Sequence, residues 1–363
     1  MSPQPICYRS LIRHRLGQTE TVMVLRILIG ATGAMMALAT MGSAIRTVVV
    51  PRAEQVWISR AVFRVLRSII HRGSEATKAR FAPTALLVLP LVWSIGVLLG
   101  CSATFWALGV EPYRDAFVLS GSSLTTLGFR TTEDLPTLFL AILEGLVGLG
   151  LVALLISFLP TMYSAFSRRE IAVAKLHLRS AWSDGTVPSA SLLVRNQRIS
   201  GLDQISEMWA EWENWFVEVE ETHTSFPMLV FFRSPVPDRS WIVSAGIALD
   251  AASLYHSTLD LPRAPRAALM IRTGSLALRR IADFFGFVYP SDPQPGDPIS
   301  ITRAEFDDVY DRLSNEGLPV KADRDQAWKD FAGWRVNYDV VLLQLAAFVD
   351  APAAPWISDR TVS

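Results

Sequence analysis

The sequence predicts an all-α membrane protein: three transmembrane helices, a re-entrant loop between the second and third, and a mainly helical water-soluble domain after them. Three observations carry this prediction. Half of the 363 residues are hydrophobic and 19% are charged, whereas an average soluble chain carries about 25% charged residues. The apolar residues gather in three long runs within the first half of the chain. The charge changes sign near residue 170: residues 1–170 hold 16 Lys and Arg against 9 Asp and Glu, and residues 171–363 hold 18 against 25. The overall neutrality is therefore a cancellation between a basic membrane half and an acidic soluble half.

Each apolar run is long enough for the roughly 30 Å of bilayer hydrocarbon, which needs about 20 helical residues. The first is Met23 to Ile45, the second Pro83 to Leu108, and the third Leu135 to Tyr163, with Pro160 near its end; Arg26 and Glu144 are their only charges. The basic tail ahead of the first run (Arg9, Arg13, Arg15) raises the question of a cleaved leader. The run outlasts a leader's apolar core and ends without a clear cleavage site, so residues 1–50 are expected to be a tail and a retained first span. Residues 51–82 form a basic linker with seven Lys and Arg against Glu54 and Glu75. Its apolar residues (Trp57, Ile58, Ala61, Val62, Val65, Leu66, Ile69) recur at helical spacing, as in an amphipathic helix lying on anionic headgroups. The excess of basic residues in this linker, and in Arg168 and Arg169 after the third span, places the linker and the C-terminal half in the cytoplasm. The N-terminus is then outside, against the preference of its three arginines. Cys7 and Cys101 imply no disulfide framework and no metal site.

Between the second and third spans lies EPYRDAFVLSGSSLTTLGFRTTEDLP, a short helical stretch from Tyr113 to Leu124 followed by Thr-Thr-Leu-Gly-Phe. The order span, short helix, Thr-x-Gly-aromatic, span resembles the two-helix pore unit of potassium channels, over about residues 83–168. The resemblance implies a backbone-carbonyl selectivity filter at Thr125, Thr126, Leu127, Gly128 and Phe129, with permeant potassium in it and no other cofactor. It also implies a homotetramer, because one loop per chain cannot close a four-fold filter. Carbonyl oxygens facing one axis replace the hydration shell of a cation, and Gly128 supplies dihedrals that aim them. Phe129 is expected to point away from the axis and wedge the filter. The sequence departs from the family at Phe129, where tyrosine is usual, and at Arg130, which stands for the last glycine. Arg130, Glu133 and Asp134 would form the outer mouth, the guanidinium either facing the conduction axis or tied to Glu133 or Asp134 behind the filter. In the third span, Glu144 is expected to face the pore or brace the filter, since carboxylates in a membrane are costly and usually functional. Gly148 and Gly150 read equally as a gating hinge or as a helix crossing at small residues. No span carries regularly spaced arginines, so no voltage sensor is expected.

The soluble domain, residues 169–363, shows helical periodicity around 203–221, 242–257, 265–286, 302–314 and 323–349. Met228 to Phe232 reads as a strand or a buried helical turn. Thr302 with Glu305 has the spacing of a capping box, and Asp323 is placed to cap the last helix. Trp209, Trp212 and Trp215 read as a core stripe. Glu220 and His223 have the spacing of half a dimetal site, with Asp250 and His256 as the only complements, and a metal is not expected. No GxGxxG, no Ser/His/Asp and no Cys/His arrangement occurs, so no enzymatic activity, nucleotide site or nucleic-acid partner is expected. The segment FFRSPVPDRSWIVSAGIALDAASL looks like stretches of bacterial channel-like proteins whose cytoplasmic domain has no assigned ligand. Two functions stay open: a homotetrameric cation channel, or a membrane-anchored sensor or interaction protein whose pore-like loop does not conduct.

Overall fold

The computed structural model of the chain describes residues 6–48, 65, 81–180, 185–236 and 238–360. The expected amphipathic linker helix lies outside the described residues. Among those described, every regular element is helical. The helices are α1 Ile6–Val48, α2 Phe81–Ala107, α3 Tyr113–Leu124, α4 Leu135–Arg179, α5 Pro188–Arg198, α6 Ile205–Ser225, α7 Trp241–Thr258, α8 Pro265–Phe285, α9 Arg303–Asn315, α10 Arg324–Arg335 and α11 Asp339–Phe348. Three of them are long and apolar enough to cross a membrane: α1 over Val22–Thr47, α2 over Leu87–Ala107, and α4. The chain divides into two compact units, Met1–Thr161 and Met162–Ser363.

In the first unit α1 and α2 run antiparallel and meet along small residues. A Cβ on Gly33 would stand 2.5 Å from the Gly100 carbonyl oxygen, and one on Gly100 would stand 2.6 Å from that of Gly33. The crossing is close because neither residue has a side chain, which is how membrane helices gain packing without a hydrophobic drive between them. At one end of the crossing Arg26 pairs with Glu111 and lies over the Trp106 ring, 5.3 Å from its centroid. The N-terminal end of the α1 span therefore sits on the same side as the connection leading into α3. Beneath it, Val97, Cys101 and Phe105 of α2 pack with Ala116, Leu119 and Leu124 of α3.

The second unit is organised around α7, which is buried over nearly its whole length. A helix apolar on all sides has to be enclosed. The tryptophan stripe of α6 is core: Trp209, Trp212 and Trp215 are 0%, 4% and 5% exposed. Met228 to Phe232 resolves to the helical alternative, a 3₁₀ turn over Pro227–Phe231. Thr302 and Glu305 form the capping box of α9, and Asp323 caps α10 by accepting from the Gln326 amide at 2.9 Å.

The single helix expected over 323–349 is two. Asn337 donates its side-chain amide to the carbonyls of Gly333 and Trp334 at 2.9 and 3.1 Å, in competition with the helical ladder. The backbone tightens to i→i−3 bonds at Asn337 and Tyr338, and α11 starts afresh at Asp339. Around this break Arg335, fully buried, pairs with Asp250 and, at 2.7 Å, with Asp339, and donates to the Trp356 carbonyl at 2.7 Å. Tyr338 donates to Asp250 at 2.8 Å. Burial alone would weaken the arginine's hold on its proton, but the attraction of Asp250 and Asp339 outweighs it and keeps the guanidinium charged. Arg335→Met leaves two buried carboxylates unpaired. It is expected to destabilise this unit by about 3–5 kcal/mol, measured by chemical denaturation followed through tryptophan fluorescence.

A second buried cation sits at the start of this unit. Arg169 donates to the carbonyls of Leu229 and Phe232 at 2.7 and 2.6 Å and pairs with Glu170 at 2.9 Å. Its Nη1 also lies 3.1 Å from Nε2 of His223. A guanidinium can only donate, so Nε2 accepts and His223 is neutral. Burial first, and the Arg169 charge second, hold His223 well below the usual histidine range. The unfolded chain therefore binds this proton more readily than the folded one. Stability conferred by the neutral ring is complete above the ordinary histidine range near pH 6.5 and falls as the pH drops below it, by about 1.4 kcal/mol per pH unit. Burial also lowers His256, which adds with the same sign. His223→Gln should flatten the fall in melting temperature between pH 7 and pH 5 relative to wild type; an unchanged slope would assign the pH dependence elsewhere.

Candidate functional site

The segment between α3 and α4 is built by its hydrogen bonds. α3 ends at Leu124 because the next amides turn back to its last carbonyls: Thr125 N–H to Gly121 at 3.1 Å, Thr126 to Ser123 at 2.9 Å, and Leu127 and Gly128 both to Ser122 at 3.1 and 3.4 Å. The Ser122 hydroxyl then bonds both backbone groups of Arg130, accepting from its N–H at 2.9 Å and donating to its carbonyl at 3.1 Å. The chain thus doubles back along the helix it has just left. Four consecutive amides are consumed on the helix side. No hydrogen bond from the described residues is accepted by the carbonyls of Thr125, Thr126, Leu127, Gly128 or Phe129. All five residues are solvent-exposed, where backbone acceptors take partners from outside the chain.

The dihedrals explain how one short segment divides its amides from its carbonyls. Thr126 and Gly128 have φ of 57° and 67°, the left-handed region, while Leu127 between them does not. In an extended strand successive carbonyls alternate in direction, and left-handed residues at every second position remove that alternation. Leu127 and Phe129 are 71% and 64% exposed.

Arg130 does not pair with Glu133 or Asp134. Its guanidinium meets Asp115, in the first turn of α3, at 2.9 Å. The return path along α3 carries Arg130 toward the start of that helix, whereas Glu133 and Asp134 already belong to the approach to α4. Asp134 caps α4 instead, its Oδ2 accepting from the Thr137 amide at 3.3 Å and from the Thr137 hydroxyl. With side chains 50% and 34% exposed, the Arg130–Asp115 pair is worth about 0.2–1 kcal/mol. A double-mutant cycle on Arg130→Ala and Asp115→Ala should return a coupling of that size.

Behind the segment, α4 approaches α3 through its glycines and one acid. A Cβ on Gly148 would stand 1.8 Å from the Leu124 carbonyl oxygen, and one on Gly145 would stand 3.4 Å from that of Ser123. Gly148 is thus a point of backbone contact with the last residue of α3, while a Cβ on Gly150 meets nothing within 4 Å. Glu144 is buried, 1% exposed, and turned toward α3. The Ser120 hydroxyl lies 2.5 Å from its Oε1 and 3.0 Å from the Leu98 carbonyl oxygen, so one hydroxyl links α3, α4 and α2.

Ser120, Ser122 and Asp115 are the site residues that sequence reasoning missed. The available signal was the run Ser-Gly-Ser-Ser on a helix of only 12 residues, with Ser120 and Ser122 fully buried. A buried serine needs a partner, and all three partners here, Leu98, Glu144 and Arg130, lie outside α3.

The residues weighed as a metal site do not converge. Glu220 pairs with Arg280 at 2.6 Å, His223 faces Arg169, Asp250 faces Arg335, and His256 meets the Ala264 carbonyl at 3.1 Å. Neither a protein-family model, nor a curated protein, nor a solved structure matches the chain.

Proposed function

We propose that the chain assembles as a homotetrameric cation channel, conducting potassium passively through a filter made by the carbonyls of Thr125 to Phe129. The observation that carries this reading is a segment between two membrane-long helices in which five consecutive carbonyls accept no hydrogen bond from the described residues and the backbone is left-handed at Thr126 and Gly128. Irregular backbone at membrane depth is tolerated where it is covered by protein or lines a water-filled path, and free carbonyls on such a path take the place of a cation's water shell. α3 is then a pore helix, the loop re-enters the membrane, and α2 and α4 are the outer and inner helices. The exposed Phe129 wedges against a neighbouring chain. Arg130, held sideways by Asp115, flanks the mouth without closing it. The acidic second unit faces the cytoplasm, where its regulatory ligand would bind, and lipid surrounds α1 and α2.

The test is ion flux from purified protein in vesicles. Tetramers are expected by native mass spectrometry. Potassium-loaded vesicles containing them should acidify when a protonophore allows proton entry to balance potassium exit, and empty vesicles should not. Tetramers without flux would exclude the reading.

A further inference from the structure

In the second unit α6 and α8 lie side by side and run in the same direction. A Cβ on Gly274 would stand 2.8 Å from the Phe216 ring, and further along both helices Arg280 pairs with Glu220 at 2.6 Å. Their outer faces share one pattern. On α8, Leu269, Arg272, Leu276 and Arg280 recur at the three- and four-residue spacing that puts side chains on one face. On α6, Ala210, Glu213, Val217 and Glu220 do the same. Matched through the two contacts between the helices, Leu269 stands level with Ala210, Arg272 with Glu213, and Leu276 with Val217. The large apolar members stand out in water: Val217, Leu269 and Leu276 are 55%, 52% and 39% exposed. Arg272 and Glu213 make no hydrogen bond or ion pair among the described residues. One helix thus presents cations and its neighbour acids, at the same heights and around apolar side chains.

A face of this kind is complementary to itself. A two-fold rotation about an axis parallel to the helices keeps every height and lays α6 of one copy on α8 of the other. It sets Glu213 against Arg272 and Val217 against Leu276, and does so twice. A partner of a single charge sign would leave half of the face mismatched. We propose that this face is an interface with a second copy of the chain, α6 of each copy packing on α8 of the other. The apolar side chains form its centre, and the opposed charge rows fix its register. In a four-fold assembly the contact pairs the second units two by two. It depends on these two helices and not on ion conduction, so it stands or falls independently of the channel reading.

The experiment uses full-length chains in membranes, with Cys7 and Cys101 replaced by serine. One tagged chain carries Val217→Cys, and a co-expressed chain with a different tag carries Leu276→Cys, so a disulfide can form only between chains. Mild oxidation should link unlike chains and leave like chains largely unlinked, because the rotation places like positions on different helices. Glu213→Arg in the first chain sets two arginines face to face. It should cut the link about fivefold at low salt, the factor expected for one solvent-exposed charge pair. Adding Arg272→Glu to the second chain should restore the link, which a loss of folding would not allow. Links between like chains as frequent as those between unlike chains would overturn the proposal, and so would the absence of any link. A link indifferent to Glu213→Arg, or one lost there and not restored by Arg272→Glu, would overturn it as well.

Discussion

Gly128→Ala is expected to abolish conduction while leaving tetramers assembled. Gly128 sits at φ 67°, and a Cβ there would touch nothing within 4 Å in the chain. The effect is therefore one of backbone conformation and not of collision. An alanine held in the left-handed region costs about 1–2 kcal/mol, and a four-fold filter incurs that cost in every chain, about 4–8 kcal/mol in all. The segment relaxes to negative φ, and its carbonyls return to the alternation of an ordinary strand. Gly128→Asn, which tolerates positive φ, should retain measurable current. Single-channel recording distinguishes the two variants, and undiminished current in Gly128→Ala would remove the filter assignment.

Gly148→Ala is expected to be as damaging by a different route. Its Cβ would stand 1.8 Å from a backbone oxygen, that of Leu124, and 2.8 Å from the carbonyl carbon. No rotamer relieves contact with backbone, so the end of α3 must move, and Thr125 follows Leu124 directly. Overpacking of this kind costs about 1–3 kcal/mol per site, again repeated in each chain. Loss of current together with a lowered melting temperature is expected for Gly148→Ala, a mild effect for Gly145→Ala, and almost none for Gly150→Ala. Altered gating without loss of stability, in Gly148→Ala and Gly150→Ala alike, would favour a hinge over close approach.

What could be read from the sequence follows from which forces act locally. The three apolar runs and the span of α3, Tyr113 to Leu124, are set by composition and by turn residues close in sequence, and helices cover them, although α1 starts earlier at Ile6 and α4 runs on to Arg179. The capping box at Thr302 and Glu305 is likewise a three-residue affair. Partners fixed by chain reversal were not legible. Arg130 had two acids within four residues, yet it meets Asp115 because the loop returns along α3, a path written in the Ser122 hydrogen bonds. The break between α10 and α11 depends on one asparagine amide competing with the backbone, which periodicity does not register. α5 was missed altogether: PSASLLVRNQR is short and begins with serines that favour turns, and the surrounding core makes it a helix, burying every residue from Pro188 to Val194. The role of Gly148 needed the neighbouring carbonyl to be seen.

The central claim is that the free carbonyls of Thr125 to Phe129 form a cation path, and current through single tetramers in a planar bilayer tests it most directly. With potassium on one side and sodium on the other, the account predicts unitary currents that reverse toward the potassium equilibrium potential and disappear in Gly128→Ala. Intact tetramers that carry no unitary current under any applied voltage would contradict it, and would leave a membrane-anchored sensor with a pore-shaped loop.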